Sequence, residues 1–273
     1  MFFHAALTER LDGDAIVFGK PIESRSFGDL TNVDNGGRVD WVCECRLVAA
    51  SRDWAFAREH AAAIDAHWHK RLMTHPGYFN GVVYAMAAGG ILRSASEDGV
   101  FSAALVAMDF KSFLYWKESG YPQAGIRDAF GSAILRSSEG HVLLGRQSAG
   151  NVNAGQAYLP GGFIDQRDVA ADGTIDIGAS IARELAEETG LTAGEVQVEP
   201  GFRIIAIGHQ VSMAREFRSA LGADELRALI LSRIGVDVEA ELMDMVIVRS
   251  LADLSEADVP AYTALALEHV FAA

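Results

Sequence analysis

Three glutamates crowd into five positions of the stretch I-A-R-E-L-A-E-E-T-G-L at residues 181–191. Residues three and four apart share a face of an α-helix, so Glu184, Glu187 and Glu188 are expected to project together. The aliphatic residues of the stretch fall on the other side. Gly190 suits the left-handed residue that commonly ends a helix. The stretch therefore predicts a helix with one buried side and one side carrying carboxylates.

Like charges at this spacing repel one another unless a cation neutralises them, and Arg183 alone cannot neutralise three carboxylates. A bound divalent cation can do so. Carboxylate oxygens with no Cys or His nearby favour hard ions such as Mg²⁺, Mn²⁺ or Ca²⁺ over zinc. The alternative is a solvated acidic face, which is what runs of charge usually form.

The same residues resemble a known family. R-E-L-A-E-E-T-G-L at 183–191 matches the second half of the Nudix box, R-E-U-x-E-E-x-G-U with U aliphatic, and P-G-G-F at 160–163 resembles the turn that opens it. Twenty residues separate Gly162 from Arg183, where the family pattern has thirteen, so the box carries a seven-residue insertion. The glutamate expected eight positions before the arginine is replaced by Ile175. The candidates to substitute for it, if any residue does, are Asp165, Asp168, Asp172 and Asp176.

Asp176 has two interpretations. It lies seven positions before Arg183, which is two helical turns, so it could pair with that arginine. It could instead cap the helix, and capping is the slightly favoured role.

The resemblance implies an α/β (α+β) fold, a Nudix-type α/β/α sandwich with a mixed sheet. We expect this domain at residues 124–273, after a smaller α+β domain at residues 1–123. The boundary is placed near E-S-G-Y-P at 118–122, which is typical of a linker. Extra N-terminal domains in such hydrolases often help to bind substrate or to dimerise, so a homodimer is one expectation.

The chemistry that the resemblance implies is pyrophosphohydrolysis of a nucleoside diphosphate linked to another moiety, with Mg²⁺ or Mn²⁺ as cofactor. The extra N-terminal residues favour a nucleotide sugar such as UDP-glucose or ADP-ribose over a free nucleoside triphosphate. Alternatives are an NAD or CoA-type substrate, or a non-catalytic Nudix-fold protein that binds nucleotides in regulation. The missing glutamate at Ile175 motivates the last of these.

Matching the box residue by residue assigns metal binding to Glu184, Glu187 and Glu188, and assigns Arg183 to orient them. The general base is expected to be Glu184 or a residue of the late acidic loop. In that loop Glu241 is the first choice and Glu239 the second, although a solvated loop is the simpler interpretation of both.

Two further positions are candidates for binding the ligand. Gly162 lies in the opening turn of the box. Arg146 ends a predicted strand that the resemblance leads to the substrate cleft, and arginine suits bidentate phosphate contacts. A surface arginine at a strand end is an equally good interpretation of Arg146.

Composition limits the partners and the compartment. A formal charge of −14 over 273 residues repels phosphate backbones and anionic lipid, so we expect neither a nucleic-acid nor a membrane partner. The longest apolar run, 82–92, is too short to span a bilayer. Cys43 and Cys45 form no zinc motif and favour a reducing compartment, and the first residues lack a signal-peptide pattern. A cytoplasmic protein is the expectation.

The remaining patterns predict individual elements. Tyr115 and Trp116, in a predicted helix at 109–117, either stack on a substrate base or pack in the core, and the core is favoured. The other expected elements are a β-rich start at 2–35, a strand at 41–48, a helix at 54–73, an antiparallel meander at 82–106, a polar loop at 208–214, a strand at 216–221 and a final helix capped by Ser255.

Overall fold

Hydrophobic runs of the sequence form the strands of one mixed sheet in the computed structural model, which describes residues 37–51, 53–93, 99–148, 155–234, 241–255 and 258–272. Over these residues the sheet has 12 strands. The strands are β1 (Arg38–Val42), β2 (Glu44–Ala50), β3 (Val82–Arg93), β4 (Val100–Asp109), β5 (Ile126–Arg136), β6 (Val142–Gln147), β7 (Ala157–Tyr158), β8 (Thr174–Ile175), β9 (Val196–Val198), β10 (Phe202–Ile207), β11 (Gln210–Ser219) and β12 (Leu242–Val248).

Six α-helices and two short 3₁₀ helices accompany these strands in the described ranges. They are α1 (Ala55–Glu59), α2 (Ala61–Thr74), α3 (Phe110–Glu118), α4 (Ile177–Thr189), α5 (Ala223–Ile234) and α6 (Ala261–Ala272), with 3₁₀ helices at Gln166–Asp168 and Leu251–Ser255. The expected α+β class with a mixed sheet is confirmed. Within the described ranges no helix combines the length and the apolar character needed to cross a bilayer.

Strand β5 is the centre of the sheet, whose hydrogen-bonded order is β1-β10-β11-β5-β3-β4-β2-β8. Nine of its eleven residues are buried, the pattern of a strand covered on both faces. Its first residues pair with β3, its last residues pair antiparallel with β6, and β11 runs parallel along most of its length. Beyond β6 lie β7 and β12, while β9 pairs with β11.

Helix α4 packs closely on β5 because the strand carries a glycine beneath it. Ile177, Ile181 and Leu185 are all buried in the main core. A Cβ on Gly131 would lie 2.6 Å from Cγ1 of Ile181, so only glycine lets the helix approach this near. Burial of each of these side chains contributes about 1.5–3 kcal/mol to folding, and together they fix the depth of the helix.

Hydrogen bonds join the two halves of the chain across the expected boundary at residue 123. β1 pairs with β10, β3 pairs with β5, and β2 pairs with β8. The ring of Phe113 in α3 also lies 5.3 Å from that of Phe163. The division into 1–123 and 124–273 stays a prediction, and these pairings are what a separate C-terminal unit would lose.

The inserted segment of the box has its own structure. It forms the 3₁₀ helix Gln166–Asp168 and then β8, whose Ile175 lies opposite Leu47 of β2. Ile175 is therefore a core residue, 4% exposed, in place of the expected acid. Backbone pairing with β2 anchors the insertion to the N-terminal half.

Two C-terminal expectations are wrong. Residues 210–214, expected in a loop, belong to β11, where the hydroxyl of Ser212 donates to that of Ser132 at 2.9 Å and so satisfies a buried polar group. The final helix begins at Ala261, directly after Pro260, because Ser255 ends a separate 3₁₀ helix.

Two N-terminal expectations need adjustment. The strand expected at 41–48 is divided at Cys43 into β1 and β2, and the helix expected at 54–73 is divided at His60 into α1 and α2. The β-rich start expected at 2–35 lies outside the described residues.

Candidate functional site

The acidic helix α4 is fixed at both ends by local interactions. The Asp176 carboxylate accepts a hydrogen bond from the backbone N–H of Ala179 at 2.9 Å, and Gly190 ends the helix with φ +69°. Asp176 is therefore the cap, and its alternative role as partner of Arg183 is wrong.

Asp168 is the residue that pairs with Arg183. Nη2 of Arg183 donates to Oδ1 of Asp168 at 2.8 Å, and the aspartate side chain is only 3% exposed. Oδ2 of Asp168 accepts from the backbone N–H of Asp165 at 3.0 Å, which fixes the carboxylate within the 3₁₀ helix. Of the four candidate aspartates, this one supplies Arg183 with a buried carboxylate.

Glu184 lies between Arg183 and the opening turn of the box. Nη1 of Arg183 donates to Oε1 of Glu184 at 2.7 Å. Gly162 lies so near that a Cβ on it would be 2.4 Å from Oε2 of the glutamate. Burial, with Glu187 and Glu241 nearby, raises the pKa of Glu184 to about 7 in spite of Arg183. Glu184 can therefore exchange a proton near neutral pH.

Glu188 is the buried member of the group, 5% exposed. Its Oε1 accepts hydrogen bonds from the hydroxyl of Tyr158 at 3.4 Å and the backbone N–H of Gly161 at 3.3 Å. Its Oε2 is buried with no partner among the described residues. Burial first, and then the charges of Glu241 and Glu184, raise its pKa well above the ordinary value. A buried carboxylate in this state is a candidate ligand for a cation.

Glu187 faces solvent, with a side chain 51% exposed, and contacts two arginines. Nη1 of Arg183 lies 3.4 Å from Oε2, and Nη1 of Arg167 lies 3.5 Å from Oε1. Sequence reasoning missed Arg167 because it lies in the insertion, where the family pattern has no position. The only sequence signal for it was its charge in a segment flanked by aspartates.

Glu241, in the late acidic loop, interacts electrostatically with the carboxylate cluster of Glu184, Glu187 and Glu188. Glu241 is exposed as a residue, but partial desolvation of its carboxylate and the charge of Glu187 raise its pKa. Its charge also raises the pKa of Glu184 and of Glu188. Glu239 lies outside the described residues.

Arg146 is half-buried on β6, where it pairs with Ala157 of β7. Its Nη1 donates to the backbone oxygen of Gly155 at 2.8 Å. Arg146 thus lies next to β7, which carries Tyr158, the residue whose hydroxyl donates to Glu188. Phosphate binding by Arg146 stays a prediction.

Trp116 is fully buried, and its Nε1 donates to the backbone oxygen of Pro122 at 2.8 Å. The neighbouring Tyr115 contacts the rings of Phe56, His60 and His67. The favoured expectation of core packing is confirmed for Trp116. Base stacking on that residue is wrong, since both faces of its ring are covered.

The carboxylates of Glu184, Glu187 and Glu188 suit a hard divalent cation, although they are not arranged around a common centre. Within the described ranges no group of three or more His, Cys, Asp or Glu side chains has the geometry to hold a metal ion. Arginines contact Oε1 of Glu184 and both carboxylate oxygens of Glu187, whereas Oε2 of Glu188 has no partner in the described part of the chain. Carboxylate oxygens are the ligands that Mg²⁺ and Mn²⁺ take, so Glu184, Glu187 and Glu188 are the residues that would hold the ion.

Comparison with known proteins identifies the domain that contains this cluster. Residues 125–231 match the family described as the NUDIX domain. Several solved structures are similar to part of the chain. A Nudix hydrolase from M. smegmatis, RenU, is 15% identical, with 53% of this chain and 83% of that chain covered and a TM-score of 0.35.

Two other structures give similar values. A MutT protein from Methanosarcina mazei Go1 is 26% identical, with 52% of this chain and 91% of that chain covered and a TM-score of 0.33. NrtR from Shewanella oneidensis, crystallised with a 27mer DNA, is 18% identical, with coverage of 52% and 59% and a TM-score of 0.33. The family match spans the opening turn, the insertion and the whole of α4. The chain therefore contains a NUDIX domain at residues 125–231.

Proposed function

We propose that the protein is a pyrophosphohydrolase that depends on Mg²⁺ or Mn²⁺ and cleaves the diphosphate bond of a nucleoside diphosphate linked to another moiety. The observation that carries this proposal is the buried carboxylate of Glu188. Its Oε2 has no partner among the residues that the structure describes, and the charges of Glu241 and Glu184, whose own pKa values are raised, raise its pKa further. Such a cluster is unfavourable by itself and becomes favourable with a divalent cation.

Each residue then has a defined task. Glu184, Glu187 and Glu188 hold the metal, which when bound lowers the pKa of its water and neutralises charge on the phosphate oxygens. Arg183, held by Asp168, orients Glu184 and Glu187. Glu184 has a pKa near that of an effective general base, and Glu241 is the alternative base.

The proposed substrate is a nucleotide sugar such as UDP-glucose or ADP-ribose. The rings of Phe110 and Phe113, from the N-terminal half, lie 5.7 Å and 5.3 Å from that of Phe163, which follows Gly162. Residues outside the NUDIX domain thus build part of the surroundings of the box. The N-terminal half therefore lies next to the box, and it is the part of the chain that we expect to recognise a second bulky group, which a nucleoside triphosphate lacks.

A comparison of kcat/KM with Mg²⁺ across UDP-glucose, ADP-ribose, NAD, a CoA compound and nucleoside triphosphates tests this assignment, because the ratio reports differential transition-state binding. We expect a nucleotide sugar to give the highest value. NAD and CoA compounds share the diphosphate and are the alternatives. A preference of about tenfold for a triphosphate, roughly 1.4 kcal/mol, would contradict the proposal.

A regulatory protein that binds nucleotides without hydrolysing them is the second candidate. It is favoured by one observation, the apolar Ile175 in place of the box glutamate. Asp168 weakens this case because it supplies the carboxylate from another position. Calorimetric binding of UDP-glucose with Mg²⁺ and no release of product would establish the regulatory alternative. The expected homodimer and cytoplasmic location stay predictions.

A further inference from the structure

Arg167, in the inserted segment, makes side-chain contacts with three carboxylates of the cluster. Its Nη2 lies 2.7 Å from Oδ2 of Asp165 and 3.9 Å from Oε1 of Glu184, and its Nη1 lies 3.5 Å from Oε1 of Glu187. Glu184 and Glu187 are two of the residues proposed to hold the metal. The guanidinium group therefore occupies part of the space around the oxygens that a divalent cation would need.

The two arginines of the cluster are held very differently. The Arg183 side chain is 24% exposed and is fixed by the buried Asp168 at 2.8 Å. The Arg167 side chain is 59% exposed, and its contacts with the glutamates are long. Exposed ion pairs contribute little free energy, typically about 0–1 kcal/mol. Arg167 can consequently leave Glu184 and Glu187 at small cost, whereas Arg183 cannot.

The backbone that carries Arg167 is nevertheless fixed beside the cluster. Asp165 and Asp168 cap the 3₁₀ helix reciprocally, and the Asp165 carboxylate accepts from the backbone N–H of Arg167 at 2.7 Å. β8, at the end of the insertion, pairs with β2. The side chain can therefore reorient while its Cα stays within reach of a ligand bound at α4.

We propose that Arg167 neutralises Glu184 and Glu187 in the metal-free protein, is displaced when a divalent cation binds, and then contacts a phosphate group of the substrate. This inference rests on the proposed function and adds a substrate-binding residue to it. A divalent ion and a guanidinium group compete for the same oxygens and repel each other. A planar guanidinium released beside a metal-bound diphosphate has the geometry for a bidentate phosphate contact.

The inference predicts effects of opposite sign in one variant. In Arg167→Ala, Mn²⁺ affinity of the full-length protein without substrate should increase by about fivefold, because a competing exposed cation is removed. Affinity for UDP in the presence of Mg²⁺ should fall by about tenfold, because a charge-assisted phosphate contact is lost. Titration calorimetry measures both. Arg167→Lys keeps the positive charge but lacks the planar guanidinium group that binds phosphate through two nitrogens. Mn²⁺ affinity should therefore stay near wild type while UDP affinity falls.

Arg58→Ala is the matched control, since the Arg58 side chain is 60% exposed and pairs with Asp53 on the N-terminal half. It should change neither affinity. Mn²⁺ affinity that is unchanged or lower in Arg167→Ala would overturn the displacement, and unchanged UDP affinity would overturn the phosphate contact. Wild-type protein that binds Mn²⁺ and UDP but cleaves no phosphoanhydride would refute the hydrolase, while these titrations would still decide the role of Arg167.

Discussion

Asp168 and Arg183 form an ion pair at 2.8 Å between residues fifteen positions apart, one in the insertion and the other on the acidic helix. The aspartate is buried, so Nη2 of the arginine has a fixed anchor. Arg183 can then hold Glu184 and Glu187 in place with its other nitrogen. The pair thus links the insertion to the arrangement of the metal-binding carboxylates.

We expect Asp168→Asn to lower the free energy of unfolding by about 1.5–3 kcal/mol, the range for hydrogen bonds to charged groups, and to lower kcat. Asp168→Glu should restore part of both. Asp176→Asn is the control on the same segment, because asparagine caps as well as aspartate does. Urea unfolding and steady-state kinetics measure the effects. A loss of activity in Asp176→Asn that matched that of Asp168→Asn would contradict the assignment.

Glu188→Gln should raise the melting temperature of the metal-free protein and lower turnover by about two orders of magnitude. The amide removes a buried carboxyl group whose raised pKa disfavours folding at neutral pH, and it is a much weaker ligand for a hard cation. Glu187→Gln should lower turnover similarly and leave the melting temperature almost level, since Glu187 is exposed. Differential scanning calorimetry in EDTA and kinetics with Mg²⁺ test both. Glu225→Gln, an exposed change on α5, should affect neither.

The raised pKa of Glu184 predicts that the metal-free protein loses stability as the pH increases. The ordinary pKa is 4.5 and the folded value is about 7, so between these values the unfolded state is ionised while the folded state holds the proton. Increasing pH across this window disfavours the folded state by up to about 3 kcal/mol. The raised pKa values of Glu188 and Glu241 act with the same sign.

Glu184→Gln should remove the contribution of this residue. In EDTA the variant should equal wild type near pH 4, below the ordinary pKa, and exceed it near pH 7.5, as measured by urea unfolding. Addition of Mg²⁺ at the higher pH should stabilise wild type more than the variant, because the ion binds the ionised carboxylate. Parallel stability curves for the two proteins in EDTA would show that Glu184 titrates normally.

Adjacent glycines of the opening turn should respond differently to alanine. A Cβ on Gly161 would lie 2.2 Å from the backbone oxygen of Gly131, which cannot move alone, so Gly161→Ala should destabilise the fold by about 3 kcal/mol. The three atoms nearest to a Cβ on Gly162 all belong to the Glu184 side chain, and the nearest, Oε2, lies at 2.4 Å. Gly162→Ala should therefore leave stability within about 1 kcal/mol of wild type.

The displaced Glu184 carboxylate in Gly162→Ala should nevertheless reduce kcat by about 100-fold, the scale of a 1 Å misplacement in an active site. Gly194→Ala is the control, because a Cβ there meets nothing within 4 Å. Chemical denaturation and kinetics on the three variants separate the two effects. Near-normal turnover in Gly162→Ala would show that the position of Glu184 is not critical.

The sequence by itself determined the acidic helix and its ends. Helical periodicity brings Glu184 and Glu188 to one face, and the caps act within four residues of each terminus. These interactions are local, so residue spacing contains the information. The strands of the N-terminal half were also recognisable from their apolar runs, although not their partners. The expected separation of an apolar side from an acidic side is wrong for Glu188, which is buried with Ile181 and Leu185.

Only the tertiary structure decided which aspartate meets Arg183, which second arginine reaches the glutamates, and that Trp116 is covered. Asp168, rather than Asp176, lies beside Arg183 because the path of the insertion is fixed by the pairing of β8 with β2, a strand more than a hundred residues earlier in the chain. Contacts of this kind depend on how distant segments pack, and the spacing of residues along the chain does not encode that packing.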